Sequence, residues 1–152
     1  MADFSKISYS DGSVHIAIDL RALNQRMREA QLWLGDRVLE GCKACMPLST
    51  GSLQQRSHTE DDGKRVVFPG PYARYLYGGK VMVDSVTGKG PRKIPTGPGE
   101  YVLRFRKGAK LVATDRPLKY SNPQAVPQWF EHAKQQHKQF WIDGVKEKIG
   151  GK

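Results

Sequence analysis

The sequence predicts an α+β fold: a small antiparallel sheet packed by a long N-terminal helix, with a C-terminal amphipathic helix and long loops. Three observations predict it. Apolar residues recur every three or four positions over residues 21–45 and again over 129–149, the period of an amphipathic helix. Between them lie short β-rich runs bounded by Gly, Pro and Asp, the pattern of hairpins and turns. Hydrophobic residues make up 38% of 152, which suits a single domain over residues 1–152 with a modest core and much loop or interface.

Residues 1–13 read as an N-terminal arm ending at the turn signal Asp11-Gly12. Met1-Ala-Asp-Phe-Ser5 lacks the basic and then apolar pattern of a secretory signal, so synthesis and use in a cytoplasm are expected. Val14, Ile16, Ile18 and Leu20 alternate with His15, Ala17 and Asp19, which predicts a short strand or an extended arm.

From Arg21 the period changes. Leu23, Met27, Ala30, Leu34, Val38, Cys42 and Cys45 fall on one helical face, widened by Leu32, Trp33 and Leu39. Asp19 is placed to cap the start, and Met46-Pro47 ends the helix because proline pushes the preceding residue out of the α region. Cys42 and Cys45 form a lone CxxC. Without a second pair it does not make a metal ribbon, and two reduced, partly buried thiols are expected.

Pro47 to Leu53 is a turn, with a strand or short helix starting near Ser52. Glu60-Asp-Asp-Gly63 is a hairpin turn, and Arg65-Val-Val-Phe68 is a strand stopped by Pro69-Gly-Pro71. The segment from Pro71 to Asp84 then gathers three tyrosines, Arg74, Lys80 and five aliphatic side chains around Gly78-Gly79, residue types enriched in interface cores. Residues 85–100 read as an exposed basic Gly/Pro loop. Tyr101 to Arg106 and Ala109 to Thr114 read as a hairpin about Lys107-Gly108 with a basic outer face, followed by an irregular stretch to Pro123. Pro127 suits the first turn of the second helix, whose stripe is Trp129, Phe130, Ala133, His137, Phe140, Trp141, Val145 and Ile149, ended by Gly150-Gly151.

The net charge of +10 is uneven: residues 80–119 carry ten Lys and Arg against three Asp and Glu. Such an excess attracts nucleic acid or an acidic protein surface, or solvates a loop. No catalytic constellation accompanies it. Gly78-Gly79-Lys80 and Gly88-Lys89 do not fit a phosphate-cradling GxxxxGK[ST] loop, and His132 and His137 lack the HExxH pattern. No cofactor or metal is expected. A metal-dependent nuclease would require Asp84, Glu100 and Asp115 to converge.

Three pieces carry a resemblance to a known family: the turn Met46-Pro-Leu-Ser-Thr-Gly-Ser-Leu53 after a long helix, the segment Pro71-Tyr-Ala-Arg-Tyr-Leu-Tyr-Gly-Gly-Lys-Val-Met-Val-Asp84, and the helix opened by Pro127-Gln-Trp-Phe-Glu131. From about Val14 to Ile149 the chain resembles the minor capsid, or head–tail joining (tail-completion), proteins of the neck of long-tailed bacteriophages. The Pro-Tyr-Ala-Arg-Tyr segment is the more specific piece. The resemblance implies a structural virion protein, not an enzyme. It would be made in the bacterial cytoplasm and form a sixfold ring between head-side connector or stopper proteins and the tail tube or terminator, with no membrane partner.

In such a ring Tyr72, Arg74, Tyr75, Tyr77, Lys80 and Met82 are the expected subunit-interface residues; otherwise Tyr72 and Tyr75 simply cover the sheet. Arg92, Lys93, Arg104, Arg106 and Lys107 are expected to line the channel, touching passing DNA weakly and without sequence preference, or to face acidic patches on the next ring. The competing class is a stand-alone nucleic-acid-binding protein using the 101–114 hairpin. Against it, few aromatics interleave with the basic residues, only Tyr101 and Phe105.

Overall fold

A computed structural model describes residues 6–48, 51–70 and 72–150. The order of elements is β1 (Lys6–Ser10), β2 (His15–Asp19), α1 (Arg21–Ala44), α2 (Ser52–Arg56), β3 (His58–Glu60), β4 (Arg65–Val67), α3 (Ala73–Gly78), β5 (Lys80–Asp84), β6 (Arg92–Gly97), β7 (Glu100–Arg104), β8 (Leu111–Pro117) and α4 (Trp129–Gly150). The fold is α+β, with α1 and α4 packed together as its frame.

The start of α1 is fixed by Asp19, whose carboxylate accepts the backbone N–H of Arg21 at 3.0 Å and pairs with the Arg21 guanidinium. Asp19 thus caps from one position outside the N-cap residue, Leu20. At the other end the Cys45 N–H turns back to the Cys42 carbonyl at 3.1 Å, two residues ahead of Pro47. The stripe of α1 buries Ala30, Cys42 and Cys45, and Leu34 and Val38 pack beside them; Leu23 and Leu32, at the outer margin, remain exposed. From α4 come Trp129, Ala133 and Trp141. Phe68 and Tyr77 meet Trp129 edge-on, with centroids 5.7 and 4.8 Å away. Glycine lets the helices close: a side chain on Gly144 would enter the Trp33 ring, and one on Gly41 would touch His137 and Trp141 at 3.3 Å. α4 opens at Trp129 rather than at Pro127. Gln128 just before it has φ +51 and donates its N–H to the Tyr77 carbonyl, which ties the helix start to α3.

Among the described residues the expected single sheet is divided into four two-stranded antiparallel sheets: β1–β2, β3–β4, β5–β8 and β6–β7. Three expectations are corrected here. The arm contains a strand, since Lys6 to Ser10 pairs with Asp19 to His15. The basic loop is half strand, since Arg92 to Gly97 pairs with Arg104 to Glu100. Pro95 is tolerated there because each strand of a two-stranded ribbon keeps an open edge that demands no N–H donor. The hairpin expected over 101–114 does not form. Its first half pairs backward with β6, and its second half is β8, which reaches Pro117 and pairs with β5 through Met82↔Ala113, Val83↔Val112 and Asp84↔Leu111. That longer-range pairing buries Val83 and Asp84, which a purely local hairpin would leave without a partner strand.

The β3–β4 hairpin is seated directly on α1. Asp61, Asp62 and Gly63 take successive positive φ angles, and a Cβ on Gly63 would lie 2.5 Å from the Gln31 carbonyl oxygen.

Candidate interaction site

The segment with the most specific resemblance folds as a corner, helix α3 followed by strand β5. Gly79 makes the corner possible: at φ +68 it closes α3 with its N–H on the carbonyls of Tyr75 and Leu76, both at 3.2 Å. A side chain there would collide with Pro127, so the corner is clamped to the entry of α4. Tyr120 donates its hydroxyl to the Leu76 carbonyl at 2.6 Å, and the Leu118 N–H reaches the Gly79 carbonyl at 2.8 Å.

This seating divides the six expected interface residues. Tyr77 sets its ring edge-on against Trp129 and packs, half-buried, on the core. Met82 is half-buried in β5, opposite Ala113. Tyr72, Arg74 and Lys80 are exposed and Tyr75 is half-buried. The Arg74 guanidinium lies over the Tyr75 ring, 4.6 Å from its centroid, and donates to the Tyr75 hydroxyl. That contact holds a long cation in one orientation. Tyr72 donates its hydroxyl to the Leu103 carbonyl at 3.1 Å and so ties the corner to the β6–β7 ribbon. Beside them opens a cleft of about 710 Å³, lined by Phe68 and residues of the α3 end together with Arg104, Phe105 and Leu111. The expectations about Tyr72, Arg74, Tyr75 and Arg104 therefore converge on one place. Phe68, Phe105 and Leu111 complete it, and the local sequence gave no sign of that, because they come together only through the β5–β8 pairing.

The basic residues separate into three settings. Arg106 is held by the buried Asp84, with Nε 3.0 Å from the carboxylate. The Arg106 hydrogen bond, and next that from the Val86 N–H, hold the Asp84 carboxyl below its ordinary range. Lys93 covers the Tyr101 ring at 4.5 Å. Arg92 and Arg104 are ladder partners on the exposed face that also carries Ile94 and Val102, and neither has an ion pair among the described residues. Like charges directly opposed across strands destabilise a ribbon, so this pair favours an anionic neighbour. Lys107 is exposed at the turn between β7 and β8.

Asp84, Glu100 and Asp115 do not converge. Among the described residues no group of three or more His, Cys, Asp or Glu side chains is placed to hold a metal ion. Cys42 and Cys45 are free and buried. Burial first, and then the neighbouring Cys45, push the Cys42 thiol up to about 12. A thiol that stays protonated is a packing group and a poor nucleophile. Among the described residues no helix is long and apolar enough to cross a membrane. Compared with protein-family models, with curated proteins and with solved structures, the chain matches none significantly.

Proposed function

We propose that this chain is a structural protein of the neck of a long-tailed bacteriophage. It forms an oligomeric ring, of six copies, that joins the DNA-filled head to the tail. The observation that carries the proposal is the α3–β5 corner. The stretch that most closely resembles the head–tail joining proteins is clamped from behind by Pro127, Tyr120 and Trp129, and it presents Tyr72 and Arg74 beside an open apolar cleft. Aromatic and arginine side chains held in one orientation are the residues that dominate protein interfaces. Tyr72, Arg74, Tyr75 and Lys80 contact the neighbouring subunit or the adjoining head-side and tail-side proteins. The ribbon bearing Arg92, Lys93 and Arg104 faces the channel, where its unpaired cations touch DNA weakly enough to let it slide.

Deleting the gene from the phage and imaging the lysate by negative-stain electron microscopy tests this. DNA-filled heads lying beside unattached tails are expected; complete, infectious particles would overturn the proposal. Arg74→Ala should give the same unattached heads and tails while the purified chain keeps its wild-type unfolding midpoint.

A further inference from the structure

The β1–β2 hairpin has two unlike faces. Residues directly opposed in an antiparallel pair share a face. Ile7 with Ile18, and Tyr9 with Ile16, therefore form one side, and Lys6 with Asp19, Ser8 with Ala17, and Ser10 with His15 form the other. The apolar side is exposed at each of its positions. Ile7, Tyr9, Ile16 and Ile18, with Val14 beside the turn, are each between 48% and 59% exposed. Together they present on the order of 400–500 Å² of surface, within the range of the largest patch on a typical monomer, which is often functional. An isolated two-stranded hairpin is marginal in water, so this one has reason to be covered.

The same chain carries a cavity of matching chemistry. The cleft between α3 and the β7–β8 turn is walled by Phe68, Tyr72, Phe105 and Leu111, and its charged groups are two cations, Arg74 and Arg104. The hairpin turn is anionic: between Ser8 and Val14 the only charge is that of Asp11. At the far end the Asp19 carboxylate is already taken by Arg21. An apolar ridge with an acidic tip thus answers an apolar groove with a basic rim.

We infer that the occupant of the cleft is the β1–β2 hairpin of a second copy of this chain, apolar face inward and Asp11 toward Arg74. The contact is heterologous, one surface on a different surface, and such contacts close into rings when the rotation allows. Each copy gives its hairpin to one neighbour and its cleft to the other. Each such contact is smaller than the ~800 Å² per partner of a standard interface, so a single pairwise contact is weak and the ring is held by closure. The inference rests on the subunit-contact role proposed for the α3–β5 corner and names what fills it.

The test uses the purified full-length chain at up to millimolar concentration in the analytical ultracentrifuge. One variant spoils the ridge, Ile7→Asp with Ile16→Asp. The other spoils the groove, Tyr72→Asp with Arg74→Glu. Each alone should weaken self-association by at least about tenfold. Mixed together, they should form a heterodimer that grows no further, because one intact ridge meets one intact groove. A groove variant that associates like wild type, a mixture that yields no dimer, or a wild-type chain that stays monomeric throughout would each overturn the inference. A photo-crosslinking benzoylphenylalanine at Tyr9 provides a second measurement that leaves the groove intact. The cross-linked dimer should join Tyr9 to residues 68–75 or 104–111 of the other copy, and attachment elsewhere overturns the inference. If this test fails while the gene deletion still separates heads from tails, the neck role stands without the hairpin contact. The reverse pair of results keeps the contact and removes the neck role.

Discussion

Gly63 and Gly12 are both glycines at φ near +80, yet they should respond differently to alanine. Around Gly12 nothing lies within 4 Å of the added carbon, so Gly12→Ala meets only the left-handed backbone penalty of about 1–2 kcal/mol. At Gly63 the added carbon meets the Gln31 carbonyl and the Leu32 Cα, both backbone, which cannot step aside. Gly63→Ala should therefore cost a further ~1–3 kcal/mol, read as the difference between the two variants in urea midpoint at equal slope. Asp84 gives a residue-scale prediction in pH. Its folded pKa lies below the ordinary 3.8, so the Arg106 contact adds stability above that value and loses it as pH falls through the folded pKa. Asp84→Asn should flatten the acid side of the stability curve between about pH 5 and pH 2 in denaturant titrations. A variant curve as steep as wild type would place the acid sensitivity elsewhere.

Among the elements, the two ribbons are joined to the rest by little more than their own ladders. Tyr72 anchors β7 by one hydrogen bond to Leu103. Tyr72→Phe should speed amide hydrogen exchange across Arg92–Arg104 and leave the exchange of α1 and α4 unchanged, since local opening there does not need the core. The β1–β2 hairpin is exposed at all ten strand positions. Changing Ile7 and Ile16 to serine should move the melting temperature by no more than about 4 °C, because substitutions on such a surface usually stay within ~0.5 kcal/mol each. By contrast Trp129→Ala, at the junction of α1, α3 and α4, should cost about 3–5 kcal/mol. A large loss of stability in the serine variant would mean that the hairpin packs on the helices in solution.

For the whole molecule, the charge of +10 is concentrated where the structure also places exposed strands. Retention on a DNA column should therefore be weak, independent of sequence and gone at about 0.2 M salt, and Arg92→Glu with Arg104→Glu should abolish it even at low salt. Retention that survives in that variant would assign the DNA contact to another surface. The four separate small sheets bear on assembly too. Among the described residues every strand keeps an open edge, and open edges and exposed apolar faces are costly to a chain that stays alone. A ring component satisfies them by docking, which is why this architecture sits well with the proposed neck role.

The sequence by itself determined the α+β class, both long helices to within a residue or two, the β3–β4 turn and the buried thiols. Each of these follows from a local signal: a period of 3.6, a proline stop, an Asp-Asp-Gly turn, or two cysteines on an apolar stripe. It also brought Tyr72, Arg74 and Tyr75 forward by composition alone. Only the tertiary structure decided which way the tyrosines face, since the direction of Tyr77 depends on Trp129, which lies some fifty positions along the chain. Strand partners were likewise undecided, because Leu111 to Pro117 has the same local preferences whether it pairs with β7 or with β5. Burial of Val83 and Asp84 selected β5, freed β7 for Arg92 to Gly97, and so created both the Arg92–Arg104 pair and the cleft. Pairing choice is a competition between distant segments for the same edge, and no window of local sequence contains both competitors.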